Sequence, residues 1–149
     1  MFHNVYRPVS VALIVVAALH GVSCASAAQA RRQDLLEVAQ LGLAEIESMR
    51  GPVIIVAGPQ VTSEERSTLS QLRSVITPGQ VPESDRYRIP DGYFVLQQLS
   101  VRGTRASLVG IAGPWFKNHP DSCGSTIDVS MRKAADGVWR VASKSATQC

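Results

Sequence analysis

The chain has 149 residues, with 15 Lys plus Arg against 12 Asp plus Glu, a formal net charge of +3 and 45% hydrophobic residues. That is the size of one domain able to bury a core, and no internal repeat, low-complexity tract or second apolar span is present. Beyond Arg7 the charges balance at 14 basic to 12 acidic residues and are interspersed without a basic stripe, a pattern with no electrostatic support for nucleic-acid binding.

Residues 1–30 read as a secretory leader. Val9 to Leu19 is a run of small and apolar residues preceded by one charge, Arg7, and followed by Ala25-Ser26-Ala27 and Ala28-Gln29-Ala30. This is the charged, apolar, small-residue order of a signal, and the run is too short for a good membrane span. Cleavage is expected between Cys24 and Arg31. Gly21-Val22-Ser23-Cys24 also resembles the motif at which bacterial lipoproteins are cut and acylated, so Cys24 is either a candidate lipidation site or an unpaired cysteine in a discarded leader. The expected location is periplasmic or secreted, with a membrane reached only through a lipid on Cys24.

Residues 31–149 are expected to form a single α+β domain. Gln33 to Met49 carries Leu35, Leu36, Val38, Ala39, Leu41, Leu43 and Ile46 as an apolar helical stripe, interrupted by Gly42 and ended by Gly51-Pro52. Val53 to Val56, rich in β-branched residues, reads as a short strand. Thr62-Ser63-Glu64-Glu65 is a capping box, and the helix it opens carries Leu69, Leu72, Val75 and Ile76 and is expected to stop before Pro78. A polar, proline-spaced connection then runs to Gly92, long enough to be a functional loop or a strap.

Two hairpins follow. Tyr93, Val95, Leu99 and Val101 alternate on the first strand, and Ala106, Leu108, Gly110 and Ala112 on the second. Arg102-Gly103 is expected as the turn, setting Leu99 against Ala106 and Val95 against Gly110. Gly110 and Gly113 are expected to mark a bend or bulge. In the second hairpin Ile127, Val129 and Met131 share one face, and Thr126, Asp128, Ser130 and Arg132 the other. With Ala135-Asp136-Gly137 as the loop, Met131 faces Val141, Lys133 faces Trp139, Val129 faces Ser143, and Cys123 faces Cys149. An even pair of cysteines in an oxidising compartment reads as a disulfide, and closing that loop of roughly 25 residues would stabilise the fold by about 3 kcal/mol.

Helix, short strand, helix and then a curved antiparallel four-stranded meander ending in Asp136-Gly137-Val138-Trp139-Arg140-Val141 resembles the nuclear transport factor 2-like superfamily, the cone fold shared with ketosteroid isomerase. The resemblance covers roughly residues 33–147, with a cystatin-like helix on a meander as near neighbour. It implies a pocket between the concave sheet and the helices. It also implies a range of roles, from isomerases and dehydratases to small-ligand binders, dimerisation modules and immunity proteins.

An isomerase of that superfamily would need a carboxylate base inside the cone and a Tyr or protonated Asp to hold an oxyanion. Asp128 is the carboxylate inside a strand, but its register turns it away from the core. Tyr93 is placed on the core face, either as an oxyanion donor or as a ring buried with its tip wet. His119 and Asp121 are the remaining acid–base candidates. One histidine beside two bridged cysteines makes no zinc set, so neither metal nor cofactor is expected.

Contact candidates are Trp115, Phe116 and Lys117, two adjacent aromatics and a cation in an irregular stretch, with capping of the core as the alternative. Arg86 and Arg88 flank Tyr87 and suit an acidic partner or a solvated loop. The expectation is thus an exported, non-catalytic binding domain of immunity or inhibitor type for a protein partner or a small apolar ligand. The alternative is a small isomerase- or dehydratase-like enzyme using the concave pocket. Oligomeric state is left open.

Overall fold

A computed structural model describes residues 11–82, 92–112 and 124–148, with side chains from Ser26 onward. The chain divides into two compact units, Met1–Gln33 and Asp34–Cys149. Helix α1 spans Val11–Arg50, starting earlier than the Gln33 expected, because the alanine-rich stretch before Gln33 contains no helix breaker strong enough to stop it. No helix among the described residues is long and apolar enough to cross a membrane.

The second unit is α+β. Strand β1 (Ile54–Ala57), helix α2 (Ser63–Ser70), strand β2 (Val75–Ile76) and a short 3-10 turn (Pro78–Gln80) precede β3 (Tyr93–Arg102), β4 (Arg105–Ala112), β5 (Ser125–Lys133) and β6 (Trp139–Gln148). The sheet has six strands rather than four, in the order β2-β1-β3-β4-β5-β6. It is mixed, since β1 runs parallel to both β2 and β3, whereas β3 to β6 pair antiparallel with their neighbours.

The expected capping box is present, with Thr62 Oγ1 accepting from the Glu65 amide at 3.3 Å and Glu65 Oε2 accepting from the Thr62 amide at 2.7 Å. The helix it opens is shorter than expected. It ends at Ser70, and Val75-Ile76 leaves helical spacing to pair with Ile55 and Val56 of β1. These β-branched residues gain more as the edge of a ladder than as a last helical turn. Arg73 ties this segment to α1 by a two-pronged contact with Glu47, Nε to Oε1 at 2.6 Å and Nη2 to Oε2 at 2.5 Å. The Arg73 hydrogen bonds hold the Glu47 carboxyl below its ordinary value despite partial desolvation.

The inner face of the sheet carries the main core, including Ile55, Phe94, Leu96, Leu99, Leu108, Ile127, Val129, Met131 and Trp139, which clusters with Val38, Leu43 and Ile46 of α1 and Leu69 of α2. Gly42 permits the closest approach: a Cβ there would stand 2.9 Å from Leu108 Cδ1 and 3.3 Å from Leu108 Cβ. The helical penalty of glycine is thus offset by helix–sheet packing.

Two β-bulges set which residues face inward. In β3 the register shifts between Leu96 and Gln98, so Phe94 and Leu96 share the inner face with Leu99. The pairing is Leu99 with Leu108 and Val95 with Ile111, and the turn is Gly103-Thr104, one residue later than expected. Tyr93 and Val95 therefore fall on the outer face, in a second apolar cluster with Val56, Ile76 and Val81. Gly110 stands opposite the β3 bulge, as expected, paired with Leu96, and Gly113 lies outside the described residues. Gly110 lies under Phe94, and a Cβ on it would come within 2.5 Å of the Val95 carbonyl oxygen.

The second bulge lies between Ser130 and Met131, where β6 gains one residue, Ala142. Gly137 adopts φ +82° in the loop, and Lys133–Trp139 and Met131–Val141 pair as the loop chemistry requires. Beyond the bulge Val129 faces Lys144 instead of Ser143. The uninterrupted register that set Cys123 against Cys149 does not hold, and both cysteines lie outside the described residues.

Candidate anion-binding face

Antiparallel pairing places directly opposed residues on the same side of a sheet. Arg102 pairs with Arg105, Arg105 with Arg132, and Arg132 with Arg140, so four arginines from four strands form one row across the sheet. Two residues along β3, β4 and β5, and three along the bulged β6, a parallel row follows: Ser100, Ser107, Ser130 and Ser143. The four arginines are exposed, as is Ser143, and the other serines are half-buried. Both rows lie on the outer face, opposite the inward-facing Ala106, Leu108, Val129 and Met131. The spacing of charges along the chain, which shows no basic stripe, hides this feature because each strand contributes one guanidinium.

A shallow groove of about 420 Å³ is lined by Arg102, Arg105 and Arg132 together with the four serines. Among the described residues, Arg102, Arg105 and Arg132 have no acidic partner. Arg140, at the end of the row, donates to Asp136 through Nη2 at 2.6 Å. The hydrogen bonds from Arg140, with one from the Val138 amide, hold the Asp136 carboxyl below its ordinary value. Ser100 and Ser107 share a hydrogen bond of 3.0 Å, and the Ser130 hydroxyl donates to Asp128 Oδ1 at 3.3 Å. Asp128 faces outward, as its register predicts.

Strands spaced about 4.8 Å apart hold the arginines side by side. Like charges directly opposite each other are destabilising in a sheet, so folding alone gives no reason for the row. What it can do is recognise anions: guanidinium forks donate two parallel hydrogen bonds to a carboxylate or phosphate, and the serine row adds hydroxyl donors alongside.

The opposite face of the same hairpin holds a charge cluster of another kind. Asp34 Oδ1 accepts from Lys133 Nζ at 2.5 Å and from Trp139 Nε1 at 3.0 Å, and the Lys133 ammonium stands 5.8 Å from the Trp139 ring centroid. Burial raises the Asp34 carboxyl, but the two hydrogen bonds and the Lys133 charge outweigh it and hold the group below 3.8. Trp139 faces inward, 5% exposed. Among the described residues no buried side-chain polar atom lacks a partner, and the shared contacts of this cluster mark it as structural.

Of the residues singled out in the sequence, Arg86, Arg88, Trp115, Phe116, Lys117, His119, Asp121, Cys123 and Cys149 lie outside the described residues, as does the side chain of Cys24. Tyr93 is described but sits in the outer apolar cluster, so the core-face position expected for an oxyanion donor does not exist. Tyr93 and Val95 lie in a different cluster from Leu108 and Val129, so these four residues do not line one pocket. The arginine and serine rows were missed. Correct pairing of Arg102 with Arg105 would have exposed them, since Arg132 opposite Arg140 follows from the Gly137 loop alone.

No protein-family model matches the chain, and no curated protein matches it.

Proposed function

We propose that the chain is an exported, non-catalytic binding domain that takes an acidic protein partner on the outer face of its sheet. The row Arg102, Arg105, Arg132 and Arg140 carries this reading, because it concentrates four exposed cations on rigid strands at a cost that a bound anion would repay. An inhibitor or immunity role in the periplasm is the form we assign to it, and the secretory order of residues 1–30 supports that compartment. We further propose a cone fold of the nuclear transport factor 2-like type, on the order of helix, strand, helix and four antiparallel strands ending in Asp136-Gly137-Val138-Trp139-Arg140-Val141.

The test is a charge reversal of the row, Arg102→Glu, Arg105→Glu and Arg132→Glu together, with binding of a short peptide alternating Glu and Thr read by fluorescence anisotropy at low and moderate salt. The expected result is a loss of affinity on the order of 100-fold, since like charges juxtaposed at an interface cost several kcal/mol. The wild-type affinity should fall with salt. An affinity unmoved by the reversal rejects the arginine row as the contact.

A further inference from the structure

The sheet ends differently at its two edges. Strand β2 is two residues long, a common way of blunting an edge. Strand β6 is ten residues long, and no strand among the described residues pairs with its outer side. From Ala142 to Gln148 every side chain of β6 is exposed, on both faces. A strand in that position presents unpaired N–H and C=O groups to any extended chain. No proline or acidic residue interrupts it, its bulge at Ala142 leaves Ser143–Gln148 as the regular stretch, and its two cations, Arg140 and Lys144, engage Asp136 and Glu45 of their own chain.

Resting on the binding role assigned above, we infer that β6 is the docking edge and that its occupant is an extended acidic segment of the partner, added to the sheet as a seventh strand. Charge decides between occupants. A second copy pairing β6 with β6 would bring the arginines of two outer faces together, whereas an acidic strand is complementary to Arg102, Arg105 and Arg132, which have no acidic partner among the described residues. The geometry joins the two features, because β6 supplies the last member of both rows, Arg140 and Ser143. An added strand lies about 4.8 Å from β6, so its outward carboxylates stand next to Arg140 while its backbone closes the edge, and Arg132, Arg105 and Arg102, on successively more distant strands, act on it through their charge.

The experiment uses the full chain and the peptide alternating Glu and Thr, prepared unmodified and in two forms N-methylated at alternate amides, the two forms differing by one residue in phase. Edge pairing uses every second amide of an added strand, so one methylated form should bind about tenfold or more weakly while the other stays within about twofold of the unmodified peptide. The modification is on the peptide, so the fold of the protein is not at risk. Equal affinity of the two methylated forms overturns strand addition, and the arginine-row reading then stands or falls on the charge reversal alone. Two outcomes overturn the choice of occupant: a sulfated polysaccharide or oligonucleotide that binds more tightly than the peptide, or a dimer of the protein that the peptide does not disperse. Absence of peptide binding at low salt overturns both readings.

Discussion

The inner and outer faces of the sheet are built from alternate residues of the same strands, and they obey opposite constraints. On the inner face Leu108, Ile127, Val129 and Met131 are almost entirely removed from water, each worth roughly 1.5–3 kcal/mol as a buried side chain. The rows that alternate with them place arginine against arginine and serine against serine. Burial accounts for the first set, and nothing in the folding energetics accounts for the second. A row of side chains that folding does not require is where recognition is to be sought.

Four substitutions sharpen that contrast. Phe94, with no exposed surface, packs over Gly110 on the inner side, and Phe94→Ala should cost about 4 kcal/mol in chemical denaturation. A loss below about 1 kcal/mol would mean that the inner face is not the core. Gly42→Val should cost about 2 kcal/mol by the same measurement, because Leu108 leaves no space for a branched side chain at the helix–sheet contact. A neutral result would show that α1 can ride outward freely.

Asp34→Asn removes the charge that Lys133 and Trp139 share and should cost about 1–2 kcal/mol near neutral pH. The sign follows from the lowered carboxyl. A folded value below 3.8 means that the ionised form binds the native state better, so its contribution is complete above the unfolded aspartate value and is lost as pH falls through the folded value. Wild type and Asp34→Asn should therefore converge in stability toward acid, and curves that stay parallel through the acid range would remove Asp34 from the account.

The smallest effect on stability is expected on the outer face. Arg105→Ser should change unfolding free energy by less than about 0.5 kcal/mol, or raise it slightly by relieving the charges on either side. It should nevertheless weaken binding of the acidic peptide. A strongly destabilised Arg105→Ser variant would place the row among the structural residues and erase the contrast between the faces.

Local chemistry made several elements legible. The capping box at Thr62 and Glu65, the loop closed by Gly137, the inward Trp139 and the outward Asp128 each depend on residues a few positions apart, and each is found where the residues dictate. Gly110 pointed to a bulge, but neither the strand that carries its extra residue nor the second bulge at Ala142 was legible. An inserted residue at Gln97 or Ala142 leaves local alternation plausible on either side while moving everything beyond it by one position, which sent Tyr93 and Val95 to the outer face and changed the partner of Val129. Val75-Ile76 likewise fits a helix or a strand by its own preferences, and only the presence of β1 beside it selected the strand.

What the amino-acid order determined by itself was thus the α+β class, the caps and turns, and which residues are apolar enough to need cover, because these rest on interactions within a few residues. Tertiary structure alone decided the six-strand mixed sheet, the splitting of the apolar residues into two clusters, and the gathering of Arg102, Arg105, Arg132 and Arg140 into one line. Those outcomes depend on inter-strand register, a sum of many weak long-range contacts in which a single extra residue redirects every side chain that follows it.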